Sequence, residues 1–430
     1  MHTTPIAPIT PATRLLAVST LVACAFAQGA TLFSEKDIAI ARQAIATAQA
    51  SNLAFDVTAS LTTEVGPRPA GSENDARAVA WGKAKLIELG FENVRTEPVK
   101  INAWNRGSAH ADIIAPYPQH LAVTALGNSV STPSVGLKAE IAYYESFDQL
   151  KADTSDRAKD RIVFIDSKFV RSREGRGYGQ NVPARISGAN EASKRGALAV
   201  MIRSIGTDRD RLPHTGTMIY DDKVKPIPAA AVSIPDAELM VRQVASGMPV
   251  KVFLAMKNTT TKGKLSHNVI GEIRGSEKPD EIIAIGGHLD SWDLGTGAID
   301  DGAGIGITVA AAKIIKDSGV RPKRTIRVIM FANEENGLDG ARAYAAAHGT
   351  EKHQLVSESD LGSDSIYRMH TRVDEASMPW LKEIGALIAP LGIEFGDNEG
   401  AGGPDMGPMV RNHAAPAVTL AQDASLYFDY

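Results

Sequence analysis

Glu281-Ile282-Ile283-Ala284-Ile285-Gly286-Gly287-His288-Leu289-Asp290 is the stretch from which the fold can be read. Its apolar residues run on without alternation, which suits a strand buried on both faces of a parallel sheet. The run then ends on a histidine and an aspartate, so polar chemistry is released at the strand's tip. Downstream the texture repeats. Ala303 to Ile315 carries apolar residues at helical spacing, Thr325 to Phe331 is a second buried run, and Leu338 to Ala347 is a second helix. Gln354 to Ser357 begins another strand, Pro379 to Ala389 is helical, and Pro416 to Leu420 reads as a last strand. Strands alternating with helices predict an α/β fold, a mostly parallel sheet flanked by helices. In such sheets chemistry gathers beyond the carboxyl ends of the strands.

Upstream, residues 35–63 and 72–89 show helical spacing, with Ser72 placed to cap the second stretch. Phe91 to Ile101 then alternates as a strand. From about Arg106 to Thr261 short Val- and Ile-rich runs (Ile141 to Tyr144, Arg161 to Ile165, Leu198 to Ile202, Val250 to Leu254) alternate with turns, and only two helical stretches intervene. This predicts a β-rich module inserted at residues 108–261 into a domain made of residues 28–107 and 262–430.

The 430 residues carry 46 basic and 50 acidic side chains, a net charge of −4, which gives no reason to expect nucleic acid or an anionic membrane as partner. Residues 1–27 read as a signal peptide, because Arg14 precedes a short apolar run and Ala25-Phe26-Ala27 resembles a cleavage site. Leu21-Val22-Ala23-Cys24 also resembles a lipobox, so periplasmic or extracellular export is expected with or without a lipid anchor at Cys24. The apolar run is too short to span a bilayer, and no membrane span is expected. Cys24 is the sole cysteine, so any metal must be held by His, Asp and Glu, a donor set that suits hydrolytic zinc.

Those residue types fall at strand ends. His288 and Asp290 follow one strand, Asp300-Asp301 precede the next helix, Glu334-Glu335 follow a second strand, and Asp360 follows a third. Taken singly, Asp-Asp or Glu-Glu before a helix is usually a cap that offsets the helix dipole. Four such groups at one sheet edge instead predict a metal site.

Gly286-Gly287-His288-Leu289-Asp290-Ser291-Trp292-Asp293, Gly297-Ala298-Ile299-Asp300-Asp301-Gly302-Ala303-Gly304 and Phe331-Ala332-Asn333-Glu334-Glu335-Asn336-Gly337 resemble the co-catalytic zinc exopeptidases of the carboxypeptidase Q kind. The likeness is specific over residues 266–363 and looser through the N-terminal helices and the insert, which resembles a protease-associated domain. His214-Thr215-Gly216 and Gly402-Gly403-Pro404-Asp405 share it.

The resemblance implies two zinc ions bridged by Asp300, with His288 and Asp360 completing the first and Glu335 binding the second. It further implies Glu334 as general base, Asp290 orienting His288, and a cis peptide between Asp300 and Asp301. The partners it implies are small peptides, cleaved by carboxypeptidase or dipeptidase action. Aminopeptidase action, a non-catalytic binding homologue, a single-zinc glutaminyl cyclase type and a homodimer stay open as alternatives.

The family's last ligand is a histidine shortly after the final Tyr-Phe stretch, and the sequence here runs to Leu426-Tyr427-Phe428-Asp429-Tyr430. The expectation is an incomplete second site, about one tight zinc per chain and weak activity. His413 precedes the last strand and so belongs roughly 15 Å from the metal edge, at about 3.3 Å per residue. His370 has no motif support.

Overall fold

The computed structural model describes residues 31–429. Two eight-stranded sheets organise it. The first runs in the order Glu92–Asn105, Thr259–Ile273, Arg324–Phe331, Lys278–His288, Lys352–Glu358, Ala417–Gln422, Ile366–Arg372, Glu394–Phe395. Its four central strands, from Arg324–Phe331 to Ala417–Gln422, are mutually parallel, and antiparallel pairings flank them on both sides. The α/β expectation therefore holds, with the parallel part confined to the centre.

The reason lies in burial. Seven of the eight residues of Arg324–Phe331 are buried, so this strand must be covered on both faces. One face packs on helix Gly304–Asp317 through Ile305, Val309 and Ala312, joined by Val57 and Leu61 of helix Leu53–Glu64. The other packs on Ala341, Tyr344 and Ala345 of helix Asp339–His348 and Met409 of helix Gly407–His413.

The N-terminal periodicity breaks where Leu53 N–H binds Ser51 Oγ at 3.1 Å, so Glu35–Gln49 and Leu53–Glu64 are separate helices. Ser72 does cap Glu73–Glu88, accepting from Asp75 N–H at 3.1 Å. Strands Thr259–Ile273, Ile366–Arg372 and Glu394–Phe395 and helix Gly407–His413 are additions to the sequence reading.

Glu92–Asn105 and Thr259–Ile273 form a long antiparallel ribbon in which Asn105 lies opposite Thr259. The chain thus leaves the first sheet and returns to it at neighbouring points, and everything between builds the second sheet. That sheet runs Gln119–Leu121, Ala109–Ala115, Lys251–Met256, Leu137–Tyr144, Ile162–Ile165, Ala199–Arg203, Ala229–Val232, Val123–Ala125. Helices Phe147–Ala152, Arg176–Lys194 and Ile234–Ala245 accompany it, one more than the sequence suggested. The signal-peptide and lipobox readings lie outside the described residues, and no helix within them is long and apolar enough to cross a membrane.

Candidate metal centre

Because the central strands are parallel, Lys278–His288, Arg324–Phe331 and Lys352–Glu358 deliver their carboxyl ends to one edge. His288 closes the first of these, its ring 1% exposed and fixed from two sides. Nδ1 donates to the main-chain carbonyl of Asp290 at 2.9 Å, and Nε2 faces Asp300 Oδ1 at 2.8 Å. Asp360 Oδ1 stands 4.0 Å from the same nitrogen. One ligand atom from each of His288, Asp300 and Asp360 lies within 4.8 Å of the others.

Asp300 reaches this point from a turn that opens at Gly297, whose φ of 61° suits glycine. The Asp300–Asp301 peptide is cis. The two aspartates divide the work. Asp301, fully buried, accepts from His288 N–H at 2.9 Å and from Gly304 N–H at 3.0 Å, tying the strand tip to the start of helix Gly304–Asp317. A Cβ at position 287 would run into Asp301 Oδ2, so glycine there is what admits the carboxylate. Asp300 is left facing the imidazole.

Asp290 departs from the sequence reading. Its carboxylate is 3.8 Å from His288 Nδ1, beyond hydrogen-bond range. It accepts instead from the main-chain N–H groups of Glu334, at 3.0 Å, and Glu335, at 3.4 Å. Asp290 therefore orients the ring through its carbonyl and the Glu334-Glu335 turn through its side chain. That turn begins at Asn333, in the left-handed region at φ 59°. Glu335 Oε1 is buried with no hydrogen-bond partner among the described residues.

Sequence reasoning passed over Arg68, set between Pro67 and Pro69. Its guanidinium is completely buried and donates only to main-chain carbonyls, weakly to its neighbour Gly66 at 3.4 Å and more closely to Leu289 at 2.5 Å, Thr296 at 2.6 Å and Gly297 at 2.9 Å. The last three carbonyls belong to the loop between His288 and Asp300, so one side chain clips both ends of it. Prolines on either side were the only local signal, and they spoke of a turn.

The charge balance of the edge is negative. Burial pushes Asp290, Asp301, Glu335, Glu358 and Asp405 upward, and lifts Asp360 to about 6 and Glu334 to about 8. Burial would also raise Asp300, but the His288 hydrogen bond and charge hold it below the usual range. Burial alone would lower His288, yet Asp300, with Asp301 and Glu334 behind it, carries it well above 6.5. Crowded, half-desolvated carboxylates with an orphaned oxygen among them are what a bound cation would relieve. Imidazole and carboxylate donors suit zinc, so the residues present fit that ion.

Helix Arg176–Lys194 and the loop carrying His214, both from the second-sheet segment, meet the C-terminal turn Tyr427–Asp429 beside the centre. Phe428 stacks on Tyr178 with centroids 4.1 Å apart, and His214 meets the edges of both at 6.1 Å. Tyr427 Oη donates to Asp360 Oδ1 at 3.3 Å. Burial pushes His214 down to about 4, and its Nε2 has no partner among the described residues. His413 lies at the opposite end of the sheet, against Gly349, and His370 pairs with Asp397 at 2.8 Å on the surface.

Residues 268–428 match peptidase family M28. Human carboxypeptidase Q is 36% identical over 382 residues, 88% of this chain and 79% of that protein. A solved M28 peptidase precursor from Shewanella amazonensis SB2B is 46% identical, covers 92% of this chain and 90% of its own, and superposes with a TM-score of 0.90. A zinc aminopeptidase from Bacillus subtilis shares the fold at a TM-score of 0.62 and 19% identity, covering 86% of this chain and 84% of its own. The chain belongs to peptidase family M28, and with that membership it is a metallo-exopeptidase.

Proposed function

We propose that this chain hydrolyses small peptides from a free end, as a carboxypeptidase or dipeptidase, with Glu334 as general base. The observation that carries the reading is the convergence of His288, Asp300 and Asp360 within 4.8 Å beside the partnerless Glu335. His288, Asp300 and Asp360 would hold one zinc, and Asp300 and Glu335 would contribute to a second. Zinc, when bound, polarises the scissile carbonyl and makes water a better nucleophile at neutral pH.

The chain's own residues supply the rest. Asp290 grips the backbone of Glu334 and Glu335, so the turn that carries both side chains is held in place. Glu335 is then free to bind metal while Glu334 moves protons. The Glu334 carboxylate takes a proton from the attacking water and returns it to the leaving amine nitrogen. Without metal its value of about 8 would keep it protonated at neutral pH, and cations placed beside it favour the carboxylate form the base needs. The packed rings of Tyr178, His214 and Phe428 beside the centre would favour short substrates over long chains.

The test is Glu334→Gln, assayed on dipeptides with free or blocked ends. Turnover should fall ~10²–10⁴-fold with zinc content unchanged. Unaltered turnover would remove Glu334 from the role. Cleavage that survives a blocked carboxyl end but not a blocked amine would replace the carboxypeptidase reading with the aminopeptidase one, which uses the same constellation.

A further inference from the structure

We propose that the outer face of the second sheet carries a transition-metal site formed by His110, Asp112 and His120, separate from the peptidase centre. His110 and Asp112 are two residues apart on strand Ala109–Ala115, so their side chains leave the same face. Asp112 lies directly opposite His120 of strand Gln119–Leu121 in the antiparallel register. The three side chains therefore converge by the pleat itself.

The geometry is that of a chelate. His110 Nε2 stands 2.8 Å from Asp112 Oδ2, and His120 Nδ1 stands 3.1 Å from Asp112 Oδ1. The two imidazoles stack with centroids 5.2 Å apart, and one ligand atom from each residue lies within 4.8 Å of the others. Donors bound to one zinc at about 2.0–2.2 Å sit roughly 3.4 Å from each other, so small shifts admit an ion. Phe253, opposite Asp112 on the next strand, sets its ring against His110 at 5.9 Å and walls one side. Both histidines are exposed, which leaves a coordination position open to water.

Two nitrogens and one carboxylate oxygen select Zn²⁺, Ni²⁺ or Cu²⁺ over Mg²⁺ and Ca²⁺. A bound ion would join the three-residue edge strand Gln119–Leu121 to its neighbour through side chains as well as backbone. As surface ion pairs alone, the same contacts would contribute little.

The test uses holoenzyme freed of loose metal by gel filtration and titrated calorimetrically with zinc chloride. The wild type should take up one more ion per chain than His120→Ala, or bind it at least ~10–100-fold more tightly, by analogy with the loss of an outer-sphere partner. Magnesium chloride should show no such difference, and peptidase turnover should be equal in both proteins. Zinc should also raise the melting temperature of the wild type but not of the variant. Asp112→Asn serves as a second variant should His120→Ala fold poorly. Equal zinc uptake by the wild type and the His110→Ala/His120→Ala protein would overturn the proposal.

Discussion

At the carboxyl edge of the second sheet, where strands Ile162–Ile165 and Ala199–Arg203 run parallel, Asp166 and Arg203 form a buried ion pair. They meet at 2.6 Å with side chains 2% and 7% exposed, and the buried charges neutralise each other. At the carboxyl edge of the first sheet, Asp290, Asp300, Asp301, Glu334, Glu335, Glu358, Asp360 and Asp405 gather around the raised imidazole of His288, with Arg68 as the buried cation nearby. Both edges are places where parallel strands set down their side chains. Only one is left with an excess of a single sign, and that excess is what marks it as the candidate metal centre. The far end of the first sheet repeats the contrast, since Arg327 there pairs with Glu272 at 2.8 Å and Glu351 at 2.6 Å.

If uncompensated charge is the distinction, removing an acid from the first edge should cost function and return stability. Glu335→Gln should lower peptidase activity by at least ~10²-fold, as loss of a ligand exceeds loss of its outer support. The metal-free variant should be more stable than metal-free wild type at neutral pH by ~1–3 kcal/mol, because a buried carboxyl group whose ionised form is disfavoured by burial and neighbouring acids gives way to a neutral amide. Parallel activity assays and denaturant titrations in chelator decide it. A metal-free variant less stable than the wild type would mean that Glu335 is compensated after all.

The second edge should answer in the opposite sense. Arg203→Met leaves Asp166 buried with only Tyr143 Oη as a side-chain partner, at 3.2 Å, and should destabilise by ~3–5 kcal/mol. Replacing both, Arg203→Met with Asp166→Leu, should recover most of that loss, because two compensated charges are exchanged for apolar volume. Urea unfolding of the three proteins measures this. A double variant as unstable as the single one would show that the pair does more than neutralise itself.

How much of this could be read beforehand follows from where each signal resides. The central strands announced themselves because burial on both faces leaves an unbroken apolar run, as in Thr325 to Phe331. Thr259–Ile273 did not, since its first half is exposed and polar, and Ile366–Arg372 places charged residues among its apolar ones. The site acids could be found because a strand ending on a carboxylate is visible in one dimension. Arg68 and Asp301 could not be given their parts, because their partners are main-chain groups that no motif records. The Asp290 carboxylate was matched to the ring two residues away, yet it turned to the backbone of the next strand's loop. His214 reaches the centre only through packing between the two sheets, against Phe428.

The smallest effect lies at the compensated far end of the first sheet, where His348 sits between two acids. Nε2 meets Glu97 at 2.9 Å and Nδ1 meets Glu351 at 3.0 Å, so the Glu97 hydrogen bond raises the imidazole above 6.5 despite partial burial, with Glu351 helping. Burial tends to raise the two glutamates, but the hydrogen bonds and charge of His348, Arg95 and Arg327 bring both below their usual value. A raised imidazole binds its proton more tightly when folded. Its contribution is thus complete below the unfolded value near 6.5 and fades as pH rises through the folded one. The lowered carboxylates work the other way, contributing above their unfolded values near 4.5 and losing that as pH falls through the folded ones. The cluster should therefore stabilise most between the carboxylate range and the raised imidazole value, by ~0.3–1 kcal/mol given its partial exposure. Subtracting the stability of His348→Gln from that of the wild type across this span should give a difference that shrinks on the alkaline side. A difference that stays flat through that rise would mean the imidazole is held by packing on Tyr344, whose ring lies 4.6 Å away, and not by charge.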